Sequence, residues 1–445
     1  MSGASALAAD MPLKAPPAPP APTYDWTGFY LGGFDSYSVN RATASTPLPG
    51  LPAGTRTGAV GIAGGGWGGG ATIGYNLQLA PTWLIGLEGD FGWLGGGRVF
   101  RDWDDVIGAG AHPNWYGTAR VRAGYVTGPS LLYVTGGVGW VNVTDTFGGS
   151  SPAGIPSMTS TTTTTGGTVG AGIETKLTRN WSIKTEYLYI DASGKHTFGS
   201  NPFGIVGTPT DVTHNYQVIK TGLNYRFNGD WDGVPINTPM LASNHNWNGF
   251  YIGGNAGVGS SLSHAQNLVC TICSTGDEDP TGIGFTGGGE AGYNYMFMQK
   301  YLIGLEGDFD ALRVRRQVSD WFDTGFGEFS QKTNWMGTIR ARVGISTGPA
   351  LLYFTGGGAW VRLTEGFLPA PFITGQLNTR TGSGWTFGGG TEVALDARWS
   401  AKLESLWVRS GTSTATPFPG GVPIFTTQFK DQFVIVRAGL NYALN

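Results

Sequence analysis

The chain is poor in charge and has no long apolar run. Lys, Arg, Asp and Glu make up only 13% of its 445 residues, about half the roughly 25% usual in soluble domains. Its net charge of −3 supplies no basic field for gripping nucleic acid. No stretch of about 18 consecutive apolar residues occurs, which excludes a transmembrane helix. A membrane-spanning β-barrel stays open, because alternating strands leave hydropathy near neutral.

Cysteine is nearly absent. Cys270 and Cys273 fall in what reads as the first long loop of the second half, and a loop-stapling disulfide is expected between them in an oxidising compartment. A zinc site needs about four ligands, and only His264 lies nearby, so no metal is expected. Enzyme signatures are missing too. His112, His196, His214, His245 and His264 form no recognisable triad with Ser and Asp. Gly194-Lys195 is followed by His196 and lacks the upstream glycine of a phosphate loop. No catalytic residue and no cofactor are expected.

What the chain has is glycine, aromatics and a repeat. There are 76 glycines and 13% aromatics, without any collagen period. The Gly-rich stretches at 64–70, 136–139 and 386–390 suit tight curvature and close strand approach. Leu84-Ile85-Gly86-Leu87-Glu88-Gly89-Asp90-Phe91 returns as Leu302-Ile303-Gly304-Leu305-Glu306-Gly307-Asp308-Phe309. Asn114-Trp115 through Arg120-Val121-Arg122 returns as Asn334-Trp335 through Arg340-Ala341-Arg342. The period of about 218 residues is far beyond a solenoid unit of roughly 20–50 residues. It is the size of a domain, so the chain is a duplication.

Each half carries eight segments with period-two alternation. In the first they lie near 26–38, 66–79, 83–96, 114–126, 130–143, 167–177, 181–193 and 214–227. In the second they lie near 247–259, 284–297, 301–314, 334–346, 350–363, 384–395, 399–410 and 430–444. Tight turns rich in Pro, Gly, Asn or Thr alternate with long loops, an asymmetry typical of outer-membrane barrels. The stretch from Ser150 to Gly167, with its Ser/Thr run at 159–165, reads as a mobile hydrophilic loop, a place where surface recognition could reside.

In register, every strand has one apolar face and one charged or glycine face. Trp83, Ile85, Leu87 and Phe91 oppose Glu88 and Asp90; Val121 and Tyr125 oppose Arg120 and Arg122. Trp181, Ile183 and Tyr187 oppose Lys184 and Glu186; Leu223, Tyr225 and Phe227 oppose Lys220. Aromatics gather at strand ends, as membrane girdles do, so the apolar face is read as facing lipid. The inward set in the first half is Glu88, Asp90, Glu174 and Glu186 against Arg120, Arg122, Lys184 and Lys220. In the second half it is Glu306, Asp308, Glu392 and Glu404 against Arg340, Arg342, Lys402 and Arg437. An eight-stranded lumen is just wide enough for side chains to fill. These charges therefore either pair and plug it or line a narrow gated conduit. A catalytic carboxylate pair is disfavoured, since each acid has a basic partner to hold it ionised.

At the N-terminus Ala6-Leu7-Ala8 fits a signal-peptidase site, with Ala9 as mature start. Residues 1–8 read as the tail of a signal peptide whose start lies upstream, and 9–24 as a Pro-rich tether. The expected barrel domains are 25–228 and 247–445, joined by a linker at 229–246.

The opening motifs Trp26-Thr27-Gly28-Phe29-Tyr30-Leu31-Gly32-Gly33 and Trp247-Asn248-Gly249-Phe250-Tyr251-Ile252-Gly253-Gly254 belong with this plan. So do the closing motifs Gly222-Leu223-Asn224-Tyr225 and Gly439-Leu440-Asn441-Tyr442. Their order and spacing resemble the OmpA-like small outer-membrane β-barrel family of Gram-negative bacteria, over nearly the whole chain, twice. The resemblance implies an all-β fold of transmembrane antiparallel up-and-down barrels in the outer membrane, with periplasmic termini and extracellular long loops. It implies as partners outer-membrane lipid, lipopolysaccharide and the barrel insertion machinery, which reads closing-strand residues such as Gly222, Tyr225, Phe227, Gly439 and Tyr442. Such barrels usually end on an aromatic residue; here Phe227-Asn228 matches better than Leu444-Asn445. Two tandem eight-stranded barrels are expected, with one sixteen-stranded barrel, a general diffusion porin, as the alternative. The expected function is non-enzymatic: envelope integrity and surface contact, with limited passage of ions or small solutes open.

Overall fold

The computed structural model describes residues 25–45, 59–101, 107–149, 157–200, 206–227, 245–270, 277–278, 281–318, 329–368, 375–415 and 425–444. The signal-peptide and tether segments, Cys273 and the side chain of Cys270 lie outside the described residues, as does most of the linker. The first half contains β1 (Gly28–Ser45), β2 (Ala59–Ala80), β3 (Trp83–Trp93), β4 (Arg98–Arg101), β5 (Ile107–Thr127) and β6 (Ser130–Gly149). It ends with β7 (Met158–Lys176), β8 (Trp181–Ser200) and β9 (Val206–Arg226). The second half contains β10 (Gly249–Leu262), β11 (His264–Cys270), β12 (Asp277–Glu278), β13 (Thr281–Phe297), β14 (Tyr301–Val318) and β15 (Phe329–Ser346). Then come β16 (Ala350–Phe367), β17 (Gln376–Ala394), β18 (Trp399–Ala415) and β19 (Phe425–Ala443).

Each half closes on itself. β1 pairs with β2 on one side and β9 on the other, and β10 pairs with β13 and β19. The short β4 extends the line of β3 along β5, and β11 extends β10 along β19. Two rings of eight spanning strands result, and no ladder joins them among the described residues. The sixteen-stranded alternative is thereby overturned: the edges it needs are already paired.

The ladders also give the stagger of the rings. Starting at Tyr30 and stepping from partner to partner through Gly74, Glu88, Arg120, Gly137, Thr168, Ile190 and Tyr216, the path returns to β1 at Asn40, ten residues further on. The same walk from Tyr251 returns at Ser261, again ten residues on. At about 3.3 Å per residue and about 4.8 Å between strands, eight strands with this stagger tilt by about 40° and stand about 8 Å from the axis. Such a ring has room inside for side chains and little else.

Faces follow the alternation. On β3, outward Leu87 is 64% exposed while inward Glu88 is 3% exposed. Cross-strand aromatic pairs mark the short-turn end: Trp83–Tyr125 at 5.4 Å, Trp181–Tyr225 at 5.2 Å and Trp399–Tyr442 at 5.0 Å. The turns themselves are locally encoded. Gly128 and Gly348 have φ of +57° and +92°, which only glycine adopts at little cost. In the turn before β18, Asp396 accepts the backbone N–H groups of Arg398 at 2.8 Å and Trp399 at 2.7 Å, and these bonds hold its carboxyl below the usual range.

The strands outrun the sequence-based boundaries on the long-loop side. Most have 17–22 residues, against about 9–11 needed to cross the hydrocarbon layer. The expected loop at 159–165 is instead strand, paired with β6 through hydroxyl and amide contacts: Thr163 with Asn142 at 3.0 Å, Thr161 with Thr144 at 2.9 Å. Thr is β-branched and favours extended backbone. A polar outer face there marks emergence into water, not the end of the sheet.

The outer walls of the two rings touch. The hydroxyls of Thr185 and Thr391 lie 3.0 Å apart, and Ile173 packs in one cluster with Val393, Ala401 and Leu403. By the repeat, Leu403 is the counterpart of Thr185 and Thr391 that of Ile173, so both rings use the same face.

Gly137 offers a test of this geometry. It lies cross-strand from Arg120, and a Cβ there would come 2.1 Å from the Ala119 carbonyl oxygen. Gly137→Val is expected to abolish the compact band of the folded protein on unboiled gels, and an unshifted band would contradict the assigned register.

Candidate functional site: two buried charge clusters

All sixteen inward charges named from the alternation lie inside the rings. In the first, Arg120 grips three acids: Glu88 at 2.6 Å, Asp90 at 2.5 Å and Glu186 at 2.7 Å. Arg122 bonds Glu174 at 3.0 Å and Glu88 at 3.3 Å, and its guanidinium lies between the rings of Tyr30 at 4.7 Å and Tyr133 at 5.1 Å. Lys184 reaches Glu88 at 2.8 Å, while Lys220 contacts Glu186 at 2.9 Å and also pairs with Asp90. The Tyr30 and Tyr133 hydroxyls donate to Glu88 and Glu186 at 2.7 and 2.6 Å. Ser182 and Asn224 do the same for Glu174 at 2.6 and 2.8 Å.

The second ring repeats the network. Arg340 contacts Glu306, Asp308 at 2.7 Å and Glu404 at 3.1 Å. Arg342 bonds Glu392 at 2.8 Å and stacks over Tyr353 at 4.0 Å. Arg437 holds Glu404 at 2.8 Å, Asp308 at 2.9 Å and Asp310. Two members were missed in the sequence: Glu290, 2.5 Å from Lys402, and Asp310. Their counterparts in the first half are Thr72 and Gly92, so comparing the copies hid them; extending the inward register by one step would have found Asp310. The first cluster balances four acids with four bases, and the second sets six acids against four.

Carboxylate oxygens of Glu88, Asp90 and Glu186 come within 4.8 Å of one another, close enough to suggest a metal. Arg120 touches all three and Lys220 two of them. Those cations occupy the centre that an ion would need.

Apolar layers close the clusters on both sides. In the first ring Trp26, Leu84, Val126, Leu131 and Tyr133 form a floor at the turn end, and Arg226 and Lys176 stack on Trp26 at 4.9 and 4.8 Å. Phe34, Tyr116, Val141, Leu188, Ile190 and Val218 belong to the layer above. In the second ring Trp247, Leu302, Leu351 and Tyr353 lie below, with Leu312, Met336, Val361, Val408, Phe433 and Ile435 above. Past that upper layer the copies diverge. The first has His214 beside Asp145 at 3.1 Å, and His214 thus sits in the lumen. The second has Asp431 held by Arg316 at 3.0 Å and Arg380 at 2.7 Å, with Arg380 also on Glu365 at 2.6 Å. The closing-strand residues Tyr225 and Tyr442 are outward, in the turn-end aromatic pairs, whereas Gly222 faces inward against Phe34.

A chain with two closed rings, apolar outside and charged within, is an integral membrane protein of the β-barrel class. The outer membrane protein beta-barrel domain model matches residues 5–227 and again 237–417. The chain belongs to that family, with the domain present twice, and its location is the outer membrane. It is similar to the 31 kDa outer-membrane immunogenic protein of Brucella melitensis, with 32% identity over 236 residues, covering 51% of this chain and 95% of the relative. It is also similar to the 25 kDa outer-membrane immunogenic protein of Brucella canis (30% identity, 50% of this chain, 92% of the relative). The 22 kDa outer membrane protein of Rhizobium leguminosarum bv. viciae is 32% identical over 182 residues, covering 40% of this chain and 70% of the relative.

Removing one partner of a buried charge network leaves its companions unpaired, at a cost of about 3–5 kcal/mol. Arg120→Ala and Arg340→Ala are each expected to lower the temperature at which the compact band converts to the unfolded one. An unchanged melting profile on unboiled gels would sink the pairing account.

Proposed function

We propose that the chain is a non-enzymatic outer-membrane protein whose two filled barrels serve envelope integrity and present long loops for surface contact. The observation that carries this reading is the packed lumen. Cations and acids cross-brace each ring, and apolar layers lie above and below them, so a hydrated path would have to break both. This favours plugged barrels over the gated conduit and over a diffusion porin. The relatives' names, all outer-membrane proteins and several immunogenic, support a role at the cell envelope and its surface.

The proposed orientation puts the long-loop ends outside and the termini, with the connector at 228–246, in the periplasm. An even strand number in each ring places those three on one side, with the short turns. The insertion machinery would then meet the closing strands β9 and β19, and outer-membrane lipid and lipopolysaccharide would surround the walls.

Two measurements test this. In planar bilayers the full chain should be nearly silent, whereas large, stable conductance steps would refute the filled-lumen reading. For orientation, Cys270 and Cys273 are first replaced by Ser. A membrane-impermeant maleimide should then label Thr161→Cys on intact cells and spare Lys300→Cys; the reverse pattern would overturn the topology.

A further inference from the structure

The two copies diverge most pointedly on the outer wall at the long-loop end. In the second ring Arg313 and Arg315 on β14, Lys332 on β15, Arg362 on β16 and Arg409 on β18 all point outward and are exposed. The repeat aligns them with Gly95, Gly97, His112, Asn142 and Asp191 of the first half. Four neutral or weakly basic positions and one acid have thus become five cations. Among the described residues no carboxylate pairs with Arg313, Arg315, Lys332 or Arg409, and Arg362 reaches only the Thr381 hydroxyl at 3.5 Å. The inward arginines of the same ring, by contrast, are all paired.

Their depth says what they meet. Outward aromatics lie just below them: Phe309 against Trp335 at 5.2 Å, and Trp407 against Phe387 at 5.1 Å and Trp385 at 5.8 Å. Arg362 is directly cross-strand from Trp335, and Arg409 from Trp385. Arg315 and Lys332 face each other across the ladder, a like-charge juxtaposition that is unfavourable unless an anion sits between or beside them. Aromatic girdles settle at the boundary of the hydrocarbon layer. Cations one step beyond, aimed at lipid and away from the barrel mouth, lie at the level of headgroup phosphates. Guanidinium groups there can fork onto phosphate oxygens.

We propose that the β14–β16 wall of the second barrel, through Arg313, Arg315, Lys332 and Arg362 on three adjacent strands, binds the phosphorylated headgroup of a glycolipid in the leaflet at the long-loop end, and that the first barrel lacks the site; Arg409 on β18 lies round the ring from it. The proposal rests on the outward orientation given above for its cellular setting; the binding itself does not. The full chain is purified in nonionic detergent without divalent cations and titrated with fluorescent diphosphoryl lipid A. K332H/R362N gives the second barrel the first barrel's residues at two outward positions, on adjacent strands, that touch neither charge cluster. This variant should bind about tenfold or more weakly, at roughly a fivefold loss per cation removed, and wild-type binding should weaken as salt rises. The reciprocal H112K/N142R, on neighbouring β5 and β6, should bind more tightly than wild type. Equal affinity of K332H/R362N and wild type overturns the site. So does equal binding of lipid A stripped of both phosphates, or of phosphatidylglycerol. Should K332H/R362N lose its compact band, K332Q/R362Q, carrying that band, takes its place in the same titration. Because the titration is done in detergent, its failure is separate from a failure of the labelling pattern on cells.

Discussion

Ring closure is the constraint on which the rest of this molecule depends. In the hydrocarbon layer an unpaired backbone N–H or C=O costs several kcal/mol, so a sheet survives there only without edges. Pairing of β1 with β9 and of β10 with β19 removes the edges of both halves. Closure with a ten-residue stagger then sets a lumen so narrow that its contents must be side chains in contact. Everything inward has to be satisfied by something else inward.

The buried charges are the answer to that demand. A lipid-facing wall takes up the apolar residues, which leaves polar and small ones for the interior, the inverse of a soluble barrel. Charges at such depth are tolerated only where each meets several partners. Arg120 with three acids and Arg437 with three acids meet that condition, and tyrosine, serine and asparagine side chains add hydrogen bonds to the glutamates. The apolar layers above and below keep water from competing. This layering is why the lumen reads as a brace rather than a passage.

Duplication kept the brace and let the periphery drift. The clusters correspond position for position, with Arg437 standing where the first has Lys220, while Glu290 and Asp310 add two acids to the second. The upper lumen exchanges a His214–Asp145 contact for an arginine-bridged pair of carboxylates. On the outside, glycine, histidine, asparagine and aspartate become arginine or lysine. Change is concentrated beyond the aromatic girdle, where water or headgroups relax the packing demand that governs the middle of each strand.

Much of this was legible in the linear order. The alternation of Leu87, Glu88, Gly89 and Asp90 separates lipid from lumen, because successive side chains on a strand point to opposite faces. Tight turns between strands set hairpin register, so the Glu174–Lys184 neighbours across the β7–β8 turn could be read from sequence spacing. The threonine run at 159–165 was misjudged because composition reports solvent contact rather than backbone pairing. What only the tertiary structure decided was non-local: that each half closes alone, that Arg120 crosses the lumen to Glu186, and that the copies share a contact face. Those outcomes depend on the stagger accumulated over all eight strands, and no single strand carries that sum in its own residues.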